Sequence, residues 1–129
     1  MSETITDNQS ITMENKFEKY ADCDNCPIRR VLDRFGDKWS LLILSMLGET
    51  DKMRFSEMRE VLHDISQKML TLTLRKLEED GLVARKIYAE VPPRVEYKLT
   101  ECGISLLPHI LALIAWGDKH MTNRKKVKK

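Results

Sequence analysis

Apolar residues recur along this chain at two different periods, and the change of period divides it. Ile28, Val31, Leu32 and Phe35 follow the i, i+3, i+4, i+7 spacing of one helical stripe. Pro27 suits the first position of that helix, and Gly36 is expected to end it as a C′ glycine does. Asp37 is expected to cap a second helix, from Lys38 to Leu47, that ends at Gly48. Trp39, Leu41, Leu42, Ile43, Leu44, Met46 and Leu47 surround it, which predicts a central buried helix with Trp39 in the core. Met53-Arg54-Phe55 reads as a short strand. Ser56 is placed to cap a short helix carrying Met58, Val61 and Leu62. After His63-Asp64-Ile65, Ser66 is placed to cap another helix, which ends at Gly81. Beyond Gly81 the period falls to two. Leu82 to Tyr88 and Arg94 to Leu99 read as antiparallel strands, with Val95, Tyr97 and Leu99 alternating. The link Ala89-Glu90-Val91-Pro92-Pro93 is too long and proline-rich for a tight turn, so an exposed loop is expected. Thr100 caps a last helix reaching about His120, in which Pro108 should introduce a kink or interruption.

Two helices joined by a brief connection fit a helix-turn-helix, and the strand–loop–strand that follows makes a winged helix. The fold class predicted is therefore mainly α with a small β-hairpin wing. With Leu70, Leu74 and Leu77 placed inward, a rotation of about 100° per residue gathers Lys68, Thr71, Leu72 and Arg75 on the opposite side. Lys68 and Arg75 offer donors to phosphates or guanine edges, Thr71 a hydroxyl and a methyl, and Leu72 a contact for a thymine methyl. Ser66 and Gln67 stand at the helix N-terminus, whose backbone N–H groups favour phosphate. Lys68, Arg75 and Lys76 precede the acidic run Glu78-Glu79-Asp80, so the first part of the helix is the better entrant to a DNA groove. An ordinary amphipathic helix with a solvated face is the alternative. Arg94, after the two prolines, is placed at the wing, to contact DNA there or to pair with Glu90 or Glu96.

The formal net charge of the 129 residues is only +2, which excludes a histone-like polycation and an acidic solvating chain. Divided along the chain, that charge is uneven. Met1 to Cys26 carries −4, Pro27 to Asp118 is neutral, and Lys119 to Lys129 carries +6. Three regions are expected: an acidic flexible arm or marginal helix over 1–22, a winged helix over 23–121, and a basic tail over 122–129. No apolar run reaches the roughly 18 residues of a membrane span. Neither a membrane nor a secretory signal is expected, and three cysteines without an export signal suggest a reducing cytoplasm.

On the last helix, Ile104, Leu107, Ile110, Leu111 and Ile114 cover one side, while Leu106, Leu113 and Trp116 cover much of another. One small domain can hardly bury both faces, so a two-fold dimer is expected, and with it a palindromic site on DNA. Cys23-Asp24-Asn25-Cys26 is a lone C-x-x-C pair. It supplies two zinc ligands without a second pair or well-spaced histidines, so no metal and no cofactor are expected. Cys26, at a helix N-terminus near Arg29 and Arg30, has features that stabilise a thiolate; redox sensing and an unreactive half-buried thiol both remain open. Cys102 is expected to pack.

Several stretches together resemble the HxlR-type winged-helix transcriptional regulators of bacteria. They are Cys26-Pro27, Gly36-Asp37-Lys38-Trp39, Arg54-Phe55-Ser56-Glu57-Met58, Ile65 to Thr71, Leu74 to Val83, Tyr88, Val91 to Tyr97, Leu99-Thr100, Gly103 and Trp116-Gly117. The resemblance implies a homodimeric cytoplasmic regulator that binds double-stranded DNA and is not an enzyme. It implies that the first and last helices build the dimer, which brings in Ile28 beside Leu106, Leu113 and Trp116. It also implies that the helix matching Ser66 to Asp80 enters the major groove and that the hairpin matching Tyr88 to Arg94 is the wing. Some members use the cysteine matching Cys26 to sense oxidants or electrophiles, so an oxidant or small-molecule inducer is expected. Cys23 lies outside the usual pattern, as does Leu72, where members often carry a polar residue. The expected function is a repressor at a palindromic operator. The alternatives are a winged-helix module for protein interaction and a C-x-x-C thiol redox protein.

Overall fold

The computed structural model describes residues 13–128, with side chains from 16 to 121. Residues 1–12 of the expected arm, and the side chains of the expected tail over 122–129, lie outside the described residues. The chain divides into two compact units, Met1–Asp37 and Lys38–Lys129.

In the first unit, helix α1 spans Met13–Ala21 and helix α2 spans Pro27–Phe35. Asp22 organises the turn between them. Its Oδ1 accepts from the backbone N–H of Asp24 and Asn25 at 3.0 and 3.1 Å, and its Oδ2 from Asn25 Nδ2 at 3.1 Å. The Asn25 side chain and these backbone donors hold the Asp22 carboxyl below its ordinary pKa. Arg29 Nη1 donates to the Tyr20 carbonyl at 2.8 Å, so this guanidinium is tied to α1. Gly36 ends α2, but not in the left-handed conformation expected of a C′ glycine. Its φ is −81°, and its N–H still makes a helical bond to Leu32 O at 2.7 Å. Close approach is what suits glycine here: a Cβ would lie 2.5 Å from that same oxygen.

The second unit opens with helix α3, Ser40–Gly48. Its N-cap is Trp39, with no side-chain cap, so the expected start at Lys38 behind Asp37 is corrected by two residues. Lying before the helix, Trp39 is half-buried rather than in the core, and the Lys38 ammonium sits 4.7 Å from its ring centroid. Ser40, Ile43, Leu44 and Leu47 are buried, whereas Leu42 is exposed; α3 is central on one side only. Strand β1 is Met53–Arg54 and helix α4 is Phe55–Val61. Ser56 does not cap α4. Glu57 instead reaches back, its Oε1 accepting the Arg54 N–H at 2.7 Å, so the helix begins two residues earlier, at Phe55 behind Arg54.

Helix α5 is Gln67–Glu79, capped as expected by Ser66, whose Oγ accepts the Met69 N–H at 3.0 Å. It ends in a Schellman turn. Gly81 adopts φ +79°, its N–H reaches Glu78 O, and the Leu82 N–H reaches Leu77 O, both at 3.0 Å. Strands β2, Val83–Tyr88, and β3, Arg94–Leu99, pair antiparallel from Val83↔Leu99 to Tyr88↔Arg94. β1 joins the free edge of β3 at Met53↔Tyr97, giving a three-stranded sheet in the order β1-β3-β2. The loop between β2 and β3 is exposed, Val91 fully so.

Helix α6 is Glu101–Lys128, longer than expected and helical through Pro108 without a break. It packs on α3 and β3, with Leu107 against Gly48 and Gly103 against Leu99, and Gly103 and Ile110, seven residues apart, are buried. Ile104, Leu111 and Ile114, expected on the same apolar side, are exposed in the single chain. Cys102 is exposed rather than packed, because the face that turns inward is that of Gly103. Among the described residues, no helix is long and apolar enough to cross a membrane.

Thr100 joins the end of α5 to the start of α6. Its Oγ1 donates to Gly81 O at 2.6 Å and accepts the Gly103 N–H at 3.1 Å, while its own N–H reaches Leu82 O at 3.0 Å. Gly103 lies against the Leu82 carbonyl so closely that a Cβ would collide with it. Thr100→Ala is expected to destabilise the protein by about 1 kcal/mol, the usual loss of a cap. Gly103→Ala should cost more, about 1–3 kcal/mol, because backbone must shift. Urea denaturation at fixed protein concentration measures both, and equal stabilities for all three proteins would contradict this account of the joint.

Candidate nucleic-acid interface

The rotation of α5 decides what it presents. Leu70, Thr73, Leu74 and Leu77 are buried, and the Thr73 hydroxyl is satisfied by Met69 O at 2.8 Å. Opposite them, Ser66, Gln67, Lys68, Leu72 and Arg75 are exposed and Thr71 is half-buried. These residues therefore lie on the outer side of α5 or at its N-terminus. Among the described residues, neither Lys68 nor Arg75 is paired with a carboxylate. The Thr71 hydroxyl donates to Gln67 O at 2.9 Å, so toward solvent it presents an acceptor and a methyl. Leu72, 45% exposed, is an apolar side chain between two cations.

Toward the C-terminus of α5 the charge changes sign. There Glu78 pairs with Arg85 of β2 at 3.7 Å, which keeps that acid on the wing side of the helix. Among the described residues, Lys68 and Arg75 carry no such ion pair.

The wing is differently built. Arg94 Nη2 lies 3.2 Å from Glu90 Oε2, and its Nε lies 3.4 Å from Glu96 Oε2. Its guanidinium sits 4.0 Å from the Tyr88 ring centroid. The pairing alternative for Arg94 is the one present, and both acids take part. Glu96 also meets Lys52 at 3.4 Å. Burial pushes the Glu96 carboxyl up, but Tyr88, Lys52 and Arg94 more than offset it, and the carboxyl stays below its ordinary range. Lys86 of β2 is exposed, like Arg85 beside it, and its ammonium lies 4.9 Å from the Tyr88 ring centroid. It was not singled out in the sequence because nothing in an alternating strand distinguishes it.

Sequence reasoning also missed Arg59 of α4, whose Nη1 donates to Gln67 Oε1 at 3.4 Å. The two stand eight positions apart on different helices, so no helical spacing brings the pair together.

The other candidates belong to other helices. Cys26 is the N-cap of α2 and is buried, whereas Cys23 is exposed. Ile28 of α2 is half-exposed. On α6, Leu113 and Trp116 are exposed and Leu106 is half-buried.

A capped helix pair, a three-stranded wing and an outward basic half-helix define a winged helix-turn-helix protein. The model of the HxlR-like helix-turn-helix family matches residues 34–125. The chain belongs to that family and is a transcriptional regulator of its type. It is 46% identical over 99 residues to the HTH-type transcriptional regulator YdeP of Bacillus subtilis strain 168, covering 77% of each chain. Among solved structures it resembles the redox regulator HypR in its oxidized form, with TM-score 0.68 and 44% identity, over 74% of this chain and 97% of that one. It also resembles the reduced form of the transcriptional regulator YodB from B. subtilis, with TM-score 0.64 and 35% identity, over 74% and 93%.

The Glu96 cluster makes a pH prediction. A carboxyl held below its ordinary value of 4.5 contributes stability that is present above that value and lost as pH falls through the lower, folded value. Glu96→Gln removes that component. Stability followed by urea unfolding at successively lower pH should therefore fall less steeply for Glu96→Gln than for the unsubstituted protein. Identical slopes would contradict the assignment.

Proposed function

We propose that this chain is a homodimeric, cytoplasmic repressor that binds a palindromic operator through the outer face of α5. The observation that carries this reading is the exposed pair Lys68 and Arg75 on the outer side of α5, neither bound to a carboxylate among the described residues, flanking an exposed Leu72 behind the Ser66-capped N-terminus. Lys68 and Arg75 supply donors for phosphate or guanine, Leu72 a surface for a thymine methyl, and the first turn free N–H groups for phosphate. Arg94 acts indirectly, by holding the base of the wing against Tyr88, Glu90 and Glu96. The half-exposed Ile28 and the exposed Leu113 and Trp116 support a dimer through α2 and α6, which presents two copies of α5 to the two halves of a palindrome. No enzymatic role is proposed.

With DNA selected from the genome by the full-length protein, Lys68→Ala and Arg75→Ala should each weaken specific binding by about 1–3 kcal/mol where the residue contacts a base. Binding should fall steeply between about 50 and 200 mM salt. Fluorescence anisotropy with the selected duplex measures both. Unchanged affinity in the two variants, or binding indifferent to salt, would instead favour a surface for protein partners.

A second reading concerns Cys26. We infer that it senses oxidants or electrophiles, with the exposed Cys23 as a neighbouring thiol. Its place at the α2 N-cap supports this, as does the likeness to HypR, which is described as a redox regulator. Treatment with diamide should release DNA from the unsubstituted protein and leave Cys26→Ser bound. Equal release in both would remove Cys26 as the sensor.

A further inference from the structure

Arg59 is half-buried on α4, and its Nε is buried without a hydrogen-bond partner. Its Nη1 is spent on Gln67 Oε1 at 3.4 Å, and among the described residues it makes no ion pair. A guanidinium carries donors only, so the atom of the Gln67 amide that faces it must be the oxygen. The Nε2 group is then left for whatever approaches the N-terminus of α5.

This orientation matters for what Gln67 can read. A glutamine that recognises adenine uses both ends of its amide, the oxygen accepting from adenine N6 and the nitrogen donating to N7. With the oxygen held toward α4, the amide offers donors outward. Donors match an edge made of acceptors, and guanine presents two of them, N7 and O6.

We propose that Arg59 is a positioning residue that sets the base preference of Gln67, turning it from adenine toward guanine. The proposal rests on the reading of α5 as the helix that enters the DNA groove. Arg59 need not touch a base: its effect passes through the amide it orients.

The test is selection from a randomised duplex pool by full-length protein, comparing the unsubstituted chain with Arg59→Met, Gln67→Ala and the double variant. The unsubstituted protein should enrich a repeated motif with one guanine position per half-site that Gln67→Ala relaxes. Arg59→Met should cut discrimination at that same position by roughly tenfold and admit adenine there, leaving other positions unchanged. The double variant should be no worse than Gln67→Ala at that position, as expected when one residue acts through the other. Should Arg59→Met not fold, Arg59→Lys serves instead, since it keeps the charge but not the two-pronged geometry.

An unaltered base profile with uniformly weaker binding would make Arg59 a phosphate contact and overturn the proposal alone. A preference for adenine at the Gln67 position in the unsubstituted protein would also overturn it. Failure of the unsubstituted protein to enrich any motif would overturn the proposal together with the reading of α5.

Discussion

Burial of Leu70, Leu74 and Leu77 against α3 and β2 is the constraint from which the rest follows. Three leucines at this spacing leave α5 one rotation about its axis. That rotation, and no special property of the basic residues, sends Lys68, Leu72 and Arg75 outward. The same packing sets where α5 must stop, because Leu82 is buried immediately after it. Gly81 makes the reversal with its positive φ, and Thr100 seals it by bonding to the Gly81 carbonyl. Helix α5, the wing and the start of α6 are thus held at one joint.

The wing depends on electrostatics as much as on hydrogen-bonded strands. Arg94 faces Tyr88 across the register of β2 and β3, and two acids hold its charge. A guanidinium so engaged would have to give up favourable contacts before it could reach a phosphate. Among the described residues, the exposed Lys68 and Arg75 of α5 have no carboxylate partner to give up. This difference separates two kinds of arginine that are identical in the sequence: one that shapes the fold and one available to a partner.

Much of this was legible along the chain. The stripes of α2 and α5, the alternation in β3 and the caps at Ser66 and Thr100 are local signals, carried by residues within a turn or a strand of one another. What was misread depended on competition between neighbours. Asp37 and Ser56 are good caps in isolation, but α3 begins after Trp39, and Glu57 reaches back to start α4 two residues early. Gly36 looked like a left-handed stop, yet the crowding came from Leu32 O. Cys102 turned outward because Gly103 alone fits against the Leu82 carbonyl. The Arg59–Gln67 bond and the Lys52–Glu96 pair join distant segments, and no single-chain periodicity encodes them.

The central claim is that the outer, N-terminal half of α5 is the surface that meets DNA. Nuclear magnetic resonance of the isotope-labelled protein, titrated with a duplex that it has itself selected from the genome, tests this residue by residue. The account predicts that the largest shifts fall on Ser66 to Arg75 and on the wing loop, while the acidic end of α5 is little affected. Shifts confined to other surfaces, with Lys68, Leu72 and Arg75 unmoved at saturation, would contradict it.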